Sequence, residues 1–166
     1  MIAPGMFVLH SLIYCCLIVL SMIPVGLVNP RMMLHSYPKD IQDAVPPRTP
    51  KERQQAIIFA IPIIMIMIGY PAAVSLYYRP DESYFMYYFV VMWAMMFVFN
   101  VFDLLILDWL MFCYINPKFI IIEGTEGHSG YKNYRFHFIG FLKGIFITAV
   151  ISAMVAGLLS LIGAFM

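Results

Sequence analysis

The stretch AIIFAIPIIMIMIGYPAAVSLYY, residues 56–78, contains no Asp, Glu, Lys or Arg. A run of ~20 apolar residues is long enough, as an α-helix, to cross the ~30 Å hydrocarbon core of a bilayer. We therefore predict a transmembrane helix over residues 56–78, and we interpret the rest of the chain with the bilayer as its solvent.

Three further stretches are long and predominantly apolar, and they cover residues 7–28, 85–115 and 138–166. The chain as a whole is 63% hydrophobic and 11% charged, whereas soluble domains are roughly a quarter charged. No Lys or Arg precedes the first stretch, which is also longer than the apolar region of a signal peptide. We predict an all-α membrane protein, a single domain over residues 1–166 in which four transmembrane helices form a bundle.

Basic residues are concentrated in two of the segments that join these helices. Five lie in the loop 29–55 and three in the loop 116–137, whereas the short turn at 79–84 contains one. Cytoplasmic loops of membrane proteins carry an excess of Lys and Arg. The pattern predicts a multi-pass protein of the cell membrane, with both long loops in the cytoplasm and both termini on the opposite side.

Short sequence patterns predict local structure in the two loops. Thr49-Pro50-Lys51-Glu52 is typical of a capping box with proline at the first helical position, so the second helix is predicted to begin before its apolar part. In the second loop, two β-prone runs, 118–123 and 131–137, flank the glycine-rich segment 124–130. This pattern predicts a small cytoplasmic hairpin between the third and fourth transmembrane helices.

The third predicted helix carries polar residues that are unusual within a membrane span. Asn100, Asp103 and Asp108 fall on one arc of ~140° if each residue of an α-helix turns by 100°. An Asp at the bilayer centre costs roughly 2.5 to 3.5 kcal/mol. We expect this arc to face the bundle interior, with Asp108 close enough to Lys143 of the fourth helix for an ion pair.

The fourth predicted helix carries small residues at every fourth position. They are Gly140, Gly144, Thr148, Ser152, Ala156 and Ser160. Helices in lipid associate by close backbone approach, which small side chains permit. The pattern predicts close packing of this helix, either within the chain or against a second copy or another membrane partner.

The second cytoplasmic loop and its neighbour also contain residues capable of chemistry. These candidate loop-site residues are His35, Glu123, Glu126, His128, Arg135 and His137. They form no H-E-x-x-H or clustered-histidine pattern, so no metal site is predicted. Nothing in the sequence identifies a cofactor or indicates nucleic-acid binding.

Three functional hypotheses follow from these features. The first is a membrane protein whose patch, Asn100, Asp103 and Asp108 with Lys143, binds or conducts a proton, a cation or a small polar solute. The second is a non-catalytic subunit or homo-oligomer assembled through the small residues of the fourth helix. The third is an enzyme that acts on lipid headgroups at the cytoplasmic face, although no recognised catalytic pattern favours catalysis.

Overall fold

The computed structural model describes residues 2–80 and 85–164, and all regular structure in these ranges is helical. A π-helix, Asp103–Ile115, continues the α-helix Phe85–Phe102 directly, and we call it the π segment. Two short 3₁₀ helices, Pro30–Ser36 and Ser129–Lys132, lie in the loops. The α-helices are α1 (Pro4–Val28), α2 (Lys39–Asp43), α3 (Pro50–Tyr77), α4 (Phe85–Phe102) and α5 (Tyr134–Ala164).

Four of these helices, with α4 and the π segment counted as one, are long and apolar enough to cross a membrane. The prediction of a helical protein with four such helices is therefore confirmed. Two of them begin earlier than predicted, α1 at Pro4 and α5 at Tyr134. α3 begins at Pro50, before its apolar part, as the capping box predicted. Residues 81–84 of the predicted turn and residues 165–166 of the fourth predicted span lie outside the described residues.

The start of α3 has the predicted capping box. The Thr49 hydroxyl oxygen accepts the Glu52 backbone N–H at 3.2 Å, and the Glu52 carboxylate accepts the Thr49 N–H at 2.7 Å. Glu52 also pairs with Arg31, whose Nε lies 2.7 Å from its carboxylate. These contacts connect the first loop to the first turn of α3.

The main core lies where α1, α3 and α4 meet. Its fully buried side chains include Tyr14, Ile18, Met92 and Met95. The outer face of α3 is apolar and exposed, with Met65 69% accessible. Exposed apolar surface on this scale is unusual for a soluble protein and is what lipid contact requires.

A second, smaller core lies beneath one end of the bundle, between residues 29–49 and 116–133, which together we call the loop cap. The Tyr37 hydroxyl donates to the Ile120 carbonyl at 2.8 Å, which links the two halves of the cap. The Asp40 carboxylate accepts the Gly130 N–H at 2.7 Å and forms a second link.

The predicted hairpin between the third and fourth long helices is not present. Residues 116–133 are all described and contain turns and a 3₁₀ helix but no strand. Ile122, from the first β-prone run, is buried, and its N–H donates to the Tyr131 hydroxyl at 2.9 Å. The apolar residues of this loop therefore pack beneath the bundle instead of pairing as strands.

Candidate functional site

A cavity of about 370 Å³ lies at the loop-cap end of the bundle. Its wall is formed by the second half of α1, the 3₁₀ helix Pro30–Ser36, the π segment, residues 119–120 and the first turn of α5. Most of this wall is apolar, including Met22, Ile23, Leu27, Leu107, Phe112 and Phe119. The volume is within the range of small-molecule sites, ~300–1,000 Å³.

Asp103 and Asp108 both line this cavity, and the π segment explains why. A π-helix closes its turns between residues five apart, whereas an α-helix closes them between residues four apart. Asp103 and Asp108 are five residues apart, so the π geometry brings them closer to one face of the helix than the ~140° separation that an α-helix would give. The spacing continues to the end of the segment, where the Asn116 N–H donates to the Met111 carbonyl at 2.8 Å.

Asp108 is held by a histidine. Its Oδ1 lies 2.9 Å from Nδ1 of His137, in the first turn of α5. The His137 side chain is 6% exposed and lines the same cavity. Its Nε2 is buried and has no hydrogen-bond partner among the residues that the structure describes. The imidazole therefore has one nitrogen in contact with Asp108 and a second, buried nitrogen without a partner among the described residues.

The expected ion pair between Asp108 and Lys143 is not formed. Lys143 lies on the exposed face of α5, in a shallow groove with Leu142 and Phe146, and Asp108 pairs with His137 instead. Six residues separate His137 from Lys143, which corresponds to ~240° around an α-helix. The two side chains therefore cannot both face the π segment.

Asn100 belongs to a different contact from the two acids. Its amide donates to the Met96 carbonyl at 2.8 Å and to the Thr148 hydroxyl at 3.5 Å, and it does not line the cavity. Gly144 leaves room for this side chain, because a Cβ there would overlap the Asn100 Oδ1. Asn100 thus lies in the interface between α4 and α5.

The small residues of α5 differ in how closely they pack against the rest of the chain. Thr148, Ser152 and Ala156 are buried, and the Ser152 hydroxyl lies 3.4 Å from the Met96 sulfur. Gly140 is exposed, and a Cβ there would meet nothing within 4 Å. The Ser160 hydroxyl donates to its own helix, at the Ala156 carbonyl. The middle of the series therefore packs against α4, whereas Gly140 stays open.

The remaining loop candidates do not join the cavity wall. Glu126 accepts the Gly124 N–H at 3.1 Å, a local contact within a turn. The other four candidates that do not line the cavity are His35, Glu123, His128 and Arg135. In the described part of the chain, no group of three or more His, Cys, Asp or Glu side chains is arranged to hold a metal ion.

Two carboxyl groups set the polar character of the cavity. Asp103 and Asp108 line it, and none of its lining residues, all of which are described, is Lys or Arg. Tyr37 also lines it, and burial, with Tyr131 nearby, raises the pKa of the Tyr37 hydroxyl. That hydroxyl therefore remains protonated, and its proton is directed to the Ile120 carbonyl.

A second polar cluster was missed by the sequence analysis. His10 of α1 contacts two tyrosines of the α3 region, with Nδ1 2.9 Å from the Tyr70 hydroxyl and Nε2 3.2 Å from the Tyr78 hydroxyl. The signal in the sequence was a single histidine in an apolar helix. Both ring nitrogens are satisfied by protein groups, so this cluster serves as a contact between helices.

Comparison with known proteins assigns no family, because no family description, curated protein or solved structure matches this chain significantly.

Proposed function

We propose that this chain is a multi-pass membrane protein that binds a cation or a small hydrogen-bond-donating solute in the cavity at the loop-cap end. The four long helices would cross the bilayer, with the loop cap in the cytoplasm and both termini outside. The exposed apolar face of α3 and the basic residues of the two loops support this arrangement.

The observation that carries the proposal is the presence of Asp103 and Asp108 in one cavity that has no basic residue in its wall. Carboxylates within a span are costly and are usually paired or functional. The His137 imidazole meets Asp108, whereas the described residues give Asp103 neither an ion pair nor a hydrogen bond. A bound cation would supply the missing positive charge.

Binding to the purified full chain in phosphatidylcholine nanodiscs tests the proposal. Sodium, potassium, ammonium and methylammonium would each be titrated and followed by calorimetry. At least one should bind saturably, and Asp103→Asn should weaken that binding tenfold or more, because a hydrogen bond to a charged group contributes ~1.5–3 kcal/mol.

The matched control is Asp43→Asn, which removes an exposed carboxylate that lies outside the cavity. This variant should bind as the unmodified chain does. The proposal is wrong if no cation binds saturably, or if Asp103→Asn and Asp108→Asn both leave the affinity unchanged.

An enzyme acting on a membrane lipid is the second candidate, and the His137 imidazole favours it. A carboxylate that holds one ring nitrogen leaves the other to accept a proton, as in general-base catalysis. The absence of Lys and Arg from the described cavity wall disfavours phosphate as the group bound there. The test is mass spectrometry of liposome lipids incubated with the protein: turnover should be lost in His137→Gln and retained in His128→Gln.

A further inference from the structure

We propose that the ligand of the cavity is a primary amine attached to an apolar body, that is, an alkylammonium. This inference rests on the proposed function and specifies its ligand class. It follows from the kinds of hydrogen-bonding atom that the polar side chains of the wall offer, and from the apolar character of the rest of the wall.

Apart from Ser36, whose hydroxyl can donate or accept, the polar side chains of the wall offer acceptors. When they are ionised, the Asp103 and Asp108 carboxylates only accept hydrogen bonds. The Asp108 carboxylate requires a proton on Nδ1 of His137, which makes Nε2 an acceptor in the neutral ring. Tyr37 has its hydroxyl proton committed to the Ile120 carbonyl.

A primary ammonium group matches this set of acceptors. It carries one positive charge and three N–H donors and has no acceptor of its own, as the lysine side chain illustrates. The two carboxyl groups of the wall offer acceptors to it, and the His137 imidazole holds the Asp108 carboxylate in place. A quaternary ammonium has the charge but no N–H, and an alcohol has a donor but no charge.

The rest of the cavity accommodates an apolar body. Met22, Ile23, Leu27 and Phe119 belong to the apolar part of the wall, which α1 and residues 119–120 contribute. Lipid tails are as apolar as such a wall, so transfer of an alkyl chain from the bilayer is close to neutral. The head group should therefore decide which amphiphile is selected.

An amine of this class could be a free alkylamine or the ethanolamine headgroup of a lipid. The two share the ammonium group, and they differ in the phosphate that the lipid carries close to it. The experiment must therefore separate these two sources as well as test the chemistry.

The experiment is equilibrium dialysis of isotopically labelled octylamine against phosphatidylcholine nanodiscs that contain the full chain, with empty nanodiscs to subtract partitioning. Octyltrimethylammonium, octanol and octanoate serve as unlabelled competitors. Octylamine should bind saturably, and each of these three competitors should be at least tenfold weaker than unlabelled octylamine. Replacement of half the lipid by phosphatidylethanolamine shows whether a lipid headgroup competes.

Three variants locate the site. Asp103→Asn, Asp108→Asn and His137→Gln should each weaken octylamine binding tenfold or more, whereas Asp43→Asn should leave it unchanged. Far-ultraviolet circular dichroism and size-exclusion elution identify any variant that fails to fold, and the conservative Asp108→Glu, which keeps the charge, should bind better than Asp108→Asn. Competition by phosphatidylethanolamine would support the proposal with a lipid as the natural source, and lack of competition would support a free amine.

The possible failures can be distinguished. If ammonium or octyltrimethylammonium binds as tightly as octylamine and depends on Asp103, the proposed cation site stands and the alkylammonium assignment is wrong. If octanol competes equally and neither aspartate matters, the cavity is a non-selective apolar space, and both proposals are wrong.

Discussion

Asp108 and His137 form a side-chain contact that ties the π segment to the first turn of α5, with the carboxylate Oδ1 2.9 Å from the imidazole Nδ1. The pair closes one side of the cavity and leaves Nε2 of the ring without a protein partner in the described chain. It therefore has a structural role and a potential role in binding, and the two can be measured separately.

Replacement of His137 by Phe should destabilise the protein. The change keeps a ring of similar shape but leaves the partly buried Asp108 carboxylate without its donor. Loss of one partner of such a contact costs about 1–3 kcal/mol. Detergent-mediated unfolding followed by circular dichroism measures the effect, with His128→Phe as the control outside the cavity. Equal stabilities of the two variants would contradict the structural role of the pair.

Replacement of Gly144 by Ala should also be destabilising, because the new Cβ would overlap the Asn100 side chain. Overpacking of this kind typically costs about 1–3 kcal/mol. Gly140→Ala is the matched control, since a Cβ there would meet nothing within 4 Å.

A double-mutant cycle identifies the cause of the Gly144 effect. Once Asn100→Ala has removed the obstructing amide, Gly144→Ala should cost much less than it does alone. Unfolding free energies of the two single variants and the double variant give the coupling. Strict additivity would show that Asn100 does not oppose a side chain at position 144.

Replacement of Gly130 by Ala should loosen the loop cap. The Asp40 carboxylate accepts the Gly130 N–H at 2.7 Å and occupies the space that a Cβ would need. Loss of this charge-assisted contact is expected to cost about 1–3 kcal/mol. Faster hydrogen exchange across residues 116–133, measured by mass spectrometry, would report it, and Asp40→Ala should give the same pattern. The control Asp43→Ala should leave the exchange unchanged.

The stability of the loop cap should decrease in mild acid because of His35. Partial burial and the nearby Arg48 guanidinium lower the pKa of His35 below its usual range. As the pH falls below about 6.5, the unfolded chain therefore binds a proton before the folded chain does, and folding becomes less favourable. The loss is complete once the folded state is protonated as well.

The measurement for His35 is the unfolding free energy as a function of pH. The slope in mild acid should be smaller in His35→Gln than in the unmodified chain, and His128→Gln should keep the original slope. Identical slopes in the unmodified chain and His35→Gln would show that the folded structure does not disfavour protonation of this ring.

The sequence was a good guide where one strong physical signal dominated. Long uncharged stretches such as residues 56–78 predict helices because unpaired backbone groups are not tolerated in lipid. Thr49 and Glu52 predict a capping box because their spacing matches one turn. These features are local, so they do not depend on what the rest of the chain does.

The sequence was a poor guide where contacts between distant segments decided the outcome. The β-prone run at residues 118–123 packs under the bundle, because Tyr37 and Tyr131 provide hydrogen-bond partners to Ile120 and Ile122 that a second strand would otherwise provide. Lys143 was expected to pair with Asp108 from its depth along α5, but depth does not fix the face of a helix.

The candidate cavity was only partly foreseeable. The clustering of Asp103 and Asp108 on one side of a helix was expected from the sequence, and the structure shows both in one cavity. No pattern in residues 103–115 predicts a π-helix, because its backbone spacing depends on packing around it and not on a residue signature. His137 lay just outside the predicted fourth span and was assigned to the loop.

The π segment should give an unusual result in cysteine-scanning experiments. Labelling of successive positions in an α-helix rises and falls every three to four residues, whereas Asp103–Ile115 should show maxima about four to five positions apart. A substituted cysteine at 103 and one at 108 should therefore react alike with a reagent that enters from the loop-cap side. Alignments that assume a regular helix across this region would assign neighbouring positions to the wrong face.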